Sequence, residues 1–113
     1  MREGLRRAAE SKASLFNATV SANANVFSND LAPTYTPCIF RIYACFDVAG
    51  ILSVARTKEG VTVLEVLNGG DPLVAGAAYM FDVIVEEGES INLRYSVDAT
   101  ALKLSVVEIG AMV

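Results

Sequence analysis

The residues able to do chemistry in this chain are few, and most of them are acids. Glu86, Glu87 and Glu89 surround a turn at Gly88, with Asp82 upstream. Paired carboxylates can act as the acid and base of a glycosidase or bind calcium through their oxygens. A glycosidase cleft needs aromatic walls, and four Tyr, five Phe and no Trp in a 12.0 kDa body are too few to enclose a sugar. Acids held in water at a hairpin tip are the simpler reading, because turns lie at the surface. Histidine is absent altogether. That removes the commonest general base at neutral pH, the Ser-His and Cys-His nucleophile pairs, and His-rich metal sites. Cys38 and Cys45 lie in one apolar run at an odd separation, which puts their thiols on opposite faces of a strand. Without a Cys-x-x-Cys pair or any His, they read as small buried hydrophobes and not as a zinc site. Asn68-Gly69-Gly70 leads into Asp71-Pro72 and strand-like sequence, so it is no phosphate loop at the start of a helix. The expectation is a protein that is not an enzyme and takes no cofactor and no metal.

Two arginines sit inside apolar strands. Arg41 and Arg94 each require a carboxylate, from Asp47, Asp82 or Asp98, or else lie on an outer face and serve an interface, where Arg is enriched. Tyr35, Tyr43, Tyr79 and Tyr95 fit core or interface equally.

Composition sets the frame that must position these residues. The chain has 113 residues, 53% apolar and 19% charged, which allows one domain and excludes disorder. No apolar run approaches the roughly 20 residues of a spanning helix. A domain of this size buries only about two-thirds of its unfolded surface, so a mean hydropathy of +0.43 predicts further burial between subunits. The net charge of −4 divides unevenly: residues 1–12 carry +2, through Arg2, Arg6, Arg7 and Lys12 against Glu3 and Glu10, and the rest −6. An acidic body argues against nucleic acid as a partner. Residues 1–12 lack a following apolar stretch of the signal-peptide kind, which points to synthesis in the cytoplasm.

Residues 2–13 fit a short amphipathic helix or arm, with Leu5, Ala8, Ala9 and Ala13 on one side. The period then changes to two. Phe16, Ala18, Val20, Ala22, Ala24 and Val26 alternate with polar residues and predict a strand with one apolar face. A turn-rich connection over 28–37 leads to a strand over 38–48, apolar on both faces, as expected of a central strand or one facing a partner. Residues 51–57 and 61–67 flank Lys58-Glu59-Gly60, predicting a hairpin with a three-residue loop and a bulge. Residues 79–86 and 91–97 predict a second hairpin across Glu87-Gly88-Glu89-Ser90. A last strand over 101–109 places Leu102, Leu104 and Val106 on its buried face. The result is an all-β, antiparallel β-sandwich, jelly-roll-like, of seven to eight strands. A 1–13 arm precedes the 14–113 domain.

The second half carries a resemblance. Gly50-Ile51-Leu52-Ser53-Val54-Ala55-Arg56-Thr57, Gly60-Val61-Thr62-Val63, Leu67-Asn68-Gly69-Gly70, Ala78-Tyr79-Met80-Phe81 and Gly88-Glu89-Ser90-Ile91-Asn92-Leu93-Arg94-Tyr95-Ser96 resemble small jelly-roll structural proteins of tailed viruses of bacteria and archaea. Those proteins decorate capsids or build head and tail fibres. The resemblance spans about residues 50–109 and includes no catalytic signature. It implies a virion protein made in the host cytoplasm that forms a homo-oligomer, a trimer being favoured, and attaches to a capsid or tail protein. The expected interface combines Arg2, Arg6 and Arg7 of the arm with Phe40, Ile42 and Tyr43 of the two-faced strand over 38–48 and with Arg94 and Tyr95 of the strand over 91–97. Neither nucleic acid nor membrane is an expected partner. The alternative is a small carbohydrate-binding β-sandwich module, with tyrosines and the 68–71 loop contacting sugar.

Overall fold

A computed structural model describes residues 9–110 of the chain. Seven strands follow one another: β1 (Glu10–Val20), β2 (Cys38–Phe46), β3 (Leu52–Lys58), β4 (Val61–Val66), β5 (Tyr79–Val85), β6 (Glu89–Tyr95) and β7 (Ala99–Gly110). They form two antiparallel sheets, one of four strands in the order β1-β7-β2-β5 and one of three in the order β4-β3-β6. The sheets face each other as an all-β sandwich. The connector after β1 runs beside β6, touching it through bridges at Asn25 with Arg94 and Leu31 with Ile91. With that irregular stretch in the fourth place, the second sheet reads connector-β6-β3-β4, and the pair of sheets has the winding of a jelly roll.

The core lies between the sheets and follows the period of two. Cys38, Phe40, Ile42, Ala44 and Phe46 point inward from β2, and Leu52 and Val54 answer them from β3, Leu93 and Tyr95 from β6. Phe46 and Tyr95 stack across the sandwich with ring centroids 3.8 Å apart. Gly50 makes room for that stack, since a Cβ there would lie 2.8 Å from the Tyr95 ring. The Tyr95 hydroxyl donates to Val48 O at 2.6 Å, so the ring's polar end is satisfied where its body is buried.

Several sequence expectations change. Residues 10–13 are strand, not helix, and residues 2–8 of the expected arm lie outside the described residues. The first strand ends at Val20 instead of reaching Val26. Within it the alternation shifts phase at Asn17, whose φ of 49° is left-handed, and Phe16 is thrown outward to 75% exposure while Leu15 and Val20 pack inward. A matching shift occurs in β7, where the register against β2 slips between Cys45 and Phe46. That bulge leaves Leu102 half-buried and turns Ala101 and Leu104 to the core. The 58–61 turn has two residues, not three, because Glu59 and Gly60 both take positive φ, the geometry that matches strand twist. Finally, β5 and β6 are no hairpin. They belong to different sheets, so the turn at Gly88 is a corner of the sandwich. Alternation alone is identical in the two cases.

Candidate functional site

The outer face of the four-stranded sheet is built by the residues of β2, β5 and β7 that point away from the core. The register sets them in rows. Ile39 lies opposite Ile84 on one side and Ile109 on the other; Arg41 lies opposite Asp82 and Val107; Tyr43 lies opposite Met80 and Ser105. Ile84 and Met80 are largely exposed, and a shallow depression of about 270 Å³ is lined by Pro37, Cys38, Ile39, Ile84, Ile109 and Gly110. In the middle of this apolar face Arg41 grips Asp82 with two bonds, Nε to Oδ1 at 2.8 Å and Nη2 to Oδ2 at 3.0 Å. The Asp82 bond, with a contribution from Tyr43, raises the Arg41 guanidinium above its ordinary value, and Arg41 in turn holds the Asp82 carboxyl below the usual range. The face is thereby apolar at its edge and charge-neutral at its centre.

The buried polar groups among the described residues are Asn92 and Glu108. Neither was singled out by the sequence, because each occupies one position in a long strand pattern. Glu108 is 1% exposed on the inner side of β7. Its carboxylate accepts the Thr34 N–H at 2.8 Å and 3.0 Å, the Tyr35 N–H at 2.9 Å, and the Lys12 ammonium at 3.2 Å. Burial pulls its pKa up, but those donors outweigh burial and the net shift is downward. Asn92 accepts the Phe27 N–H at 3.0 Å and donates back to Phe27 O at 2.9 Å, with a further bond to Asp30 at 2.9 Å. Both side chains are consumed in holding main chain.

The predicted interface residues separate. Phe40, Ile42 and Tyr95 are fully buried in the core, which corrects their assignment to an interface: the inward face of each strand is spent on the opposite sheet. Tyr43 lies on the outer face just described. Arg94 is half-buried and donates to Asn25 at 2.8 Å, tying the connector to β6. Arg2, Arg6 and Arg7 lie outside the described residues.

The acids at the Gly88 turn also take definite roles. Glu89 accepts from the Glu86 N–H and from Arg56, both at 2.9 Å, and the Glu86 N–H is foremost among the causes that hold its carboxyl low. Glu86 and Glu87 are exposed. Tyr95 is buried, and Tyr79 spends its hydroxyl accepting the Val74 N–H at 2.9 Å. Cys38 faces the core and Cys45 the other side of β2, half-buried. This is a β-sandwich whose surface holds an apolar sheet face, with its buried polar groups bound to backbone. Comparison with protein-family models, with curated proteins and with solved structures found no match.

Proposed function

We propose that the protein is a non-enzymatic structural subunit of a virus particle, a capsid-decoration or virion-surface jelly-roll protein that forms a homo-oligomer and attaches to a larger lattice. The observation that carries this reading is the outer face of the four-stranded sheet. Ile39, Ile84, Ile109, Met80 and Tyr43 offer apolar area, and the one ion pair among them is already neutralised within the subunit. Covering the rows from Ile39 to Tyr43 removes apolar surface from water without stranding the Arg41–Asp82 charges, as an oligomer interface requires, and leaves the exposed Lys103 of the adjoining row, opposite Cys45, at the rim. A closed ring of three subunits is the form implied by the viral resemblance.

Sedimentation equilibrium of the full chain tests it. A mass divisible by three subunits is expected, and Ile84→Asp, which sets an uncompensated acid in the apolar row, is expected to abolish the three-fold contact. A protein that stays monomeric at micromolar concentration overturns the reading.

A further inference from the structure

A second surface is defined by backbone and not by a sheet face. β4 pairs with β3 on one side only. It is exposed along its whole length, with Val61, Val63, Leu64 and Val66 between 52% and 64% exposed. The phase of its hydrogen bonds can be read from its end, where the Leu67 N–H donates to Leu52 O at 2.9 Å. Antiparallel ladders alternate, so Val61, Val63 and Glu65 bond to β3, while Thr62, Leu64 and Val66 aim their N–H and C=O groups outward. Among the described residues no main-chain group answers them. An exposed edge of this kind, rich in β-branched residues, is a template for another strand.

The sequence of β4 fits itself. Two-fold antiparallel pairing through Thr62, Leu64 and Val66 can centre on Val63, Leu64 or Glu65. A centre at Glu65 sets two carboxylates directly opposite, which is destabilising. A centre at Val63 leaves Val66 facing Gly60 of the partner's turn and its main-chain groups unanswered. Only a centre at Leu64 uses all three outward residues, pairing Leu64 with its own copy, Thr62 with Val66, and Val63 with Glu65. The acid enters with its counter-ion, since Arg56 Nη2 lies 2.8 Å from Glu65 Oε1. Arg56 is itself fixed by Glu89 at 2.9 Å and by Ile84 O at 2.7 Å. The exposed valines, the outward bonds and the internal neutralisation of Glu65 are thus all complementary to a second copy of the same strand. We propose that β4 joins two copies of this chain by two-fold antiparallel pairing centred on Leu64, so that two three-stranded sheets become one continuous sheet. An isologous contact of this type closes on itself and hides both edges. It does not depend on the sheet-face contact above.

Sedimentation equilibrium of the full chain, with circular dichroism as a check on folding, tests the proposal. Leu64→Lys sets two ammonium groups opposite each other at an exposed site, and it is expected to halve the mass of the wild-type assembly and weaken the pairing at least tenfold. Leu64→Pro deletes an outward N–H without touching the β3 ladder and should act in the same direction. Ile84→Asp should leave a β4-paired dimer. Register is read by oxidation of cysteines introduced into a Cys45→Ser background, Cys38 being buried: Cα atoms of a hydrogen-bonded pair stand about 5.5 Å apart, within disulfide range. Leu64→Cys should form a covalent dimer, and Val63→Cys should do so at least tenfold less. A folded Leu64→Lys protein with the wild-type mass overturns the pairing, and Val63→Cys cross-linking faster than Leu64→Cys overturns the register. If wild type and Leu64→Lys differ twofold in mass while Ile84→Asp equals wild type, the edge contact stands and the sheet-face reading falls.

Discussion

The connector between β1 and β2 and the strand β4 invert what their local structure leads one to expect. The connector is irregular, yet its main chain is answered by buried side chains: Asn92 serves both polar groups of Phe27, and Glu108 serves the N–H groups of Thr34 and Tyr35. β4 is regular, yet the groups of Thr62, Leu64 and Val66 face outward unanswered. One edge of the three-stranded sheet is therefore closed by the chain itself, at the cost of burying an amide and a carboxylate. The opposite edge is left open and apolar. Buried polar groups are costly unless fully bonded, so their use on one edge shows that leaving an edge open is not forced by the fold.

The largest effect should come from reopening the closed region. Glu108→Ala takes the acceptor from the Thr34 and Tyr35 N–H groups and the carboxylate from Lys12, which keeps only Thr34 Oγ1, and it empties a side-chain site that is 1% exposed. A loss of about 3 kcal/mol is expected in urea unfolding, in the range for stranding a buried charge partner. Asn92→Ala strands the N–H and C=O of Phe27 and should cost about 2 kcal/mol. If either variant unfolds at the wild-type denaturant midpoint, the connector is not held by these side chains and the contrast with β4 fails.

A smaller effect is the pH dependence of the same region. The Glu108 carboxyl is lowered in the folded protein, so its contribution is complete above the unfolded value of about 4.3 and is lost as pH falls through the folded value. Asp82 and Glu89 are lowered too, by Arg41 and by the Glu86 N–H respectively, and they lie on accessible parts of the molecule where solvent weakens the effect. Glu108→Gln should flatten the acid limb of the stability profile, measured by urea midpoints from pH 6 downward, more than Asp82→Asn does. Equal slopes for the two variants would place the acid sensitivity on the sheet surface and not beneath the connector.

How far the sequence discloses this architecture depends on the range of the signal. Alternation in residues 38–46 and 91–95 is set by one buried face and reads directly as strand. The partner of a strand is not encoded in alternation, which is why β5 and β6 look like a hairpin and instead turn the corner between sheets. Phase shifts at Asn17 and at Leu102 turn Phe16 outward and leave Leu102 half-buried, since one positive φ or one bulged residue changes the phase of the side chains beyond it. Glu108 is invisible for a different reason: an acid in a strand reads as outward until the distant Thr34 and Tyr35 supply the donors that let it turn in. The apolar surplus was legible in amount but not in place. Phe40 and Ile42 consume it internally, while Ile84, Val63 and Leu64 carry it to the surface.

The smallest effect bears on what the open edge is for. Val63 is 61% exposed and sits on a strand that pairs with β3 alone, so Val63→Thr, which keeps the branched β-carbon, should change the unfolding free energy by less than about 0.5 kcal/mol. A side chain that contributes so little to its own subunit has no reason in folding to be apolar. Calorimetry at a concentration low enough to dissociate any assembly isolates the subunit's own stability. A loss above about 1 kcal/mol there would mean that Val63 is needed by the sandwich itself, because surface substitutions away from structural features stay well below that figure. The contrast between a closed edge and an available one would then dissolve. An unchanged subunit with weakened association would assign the residue's hydrophobicity to contact between copies, which is where the geometry of β4 directs it.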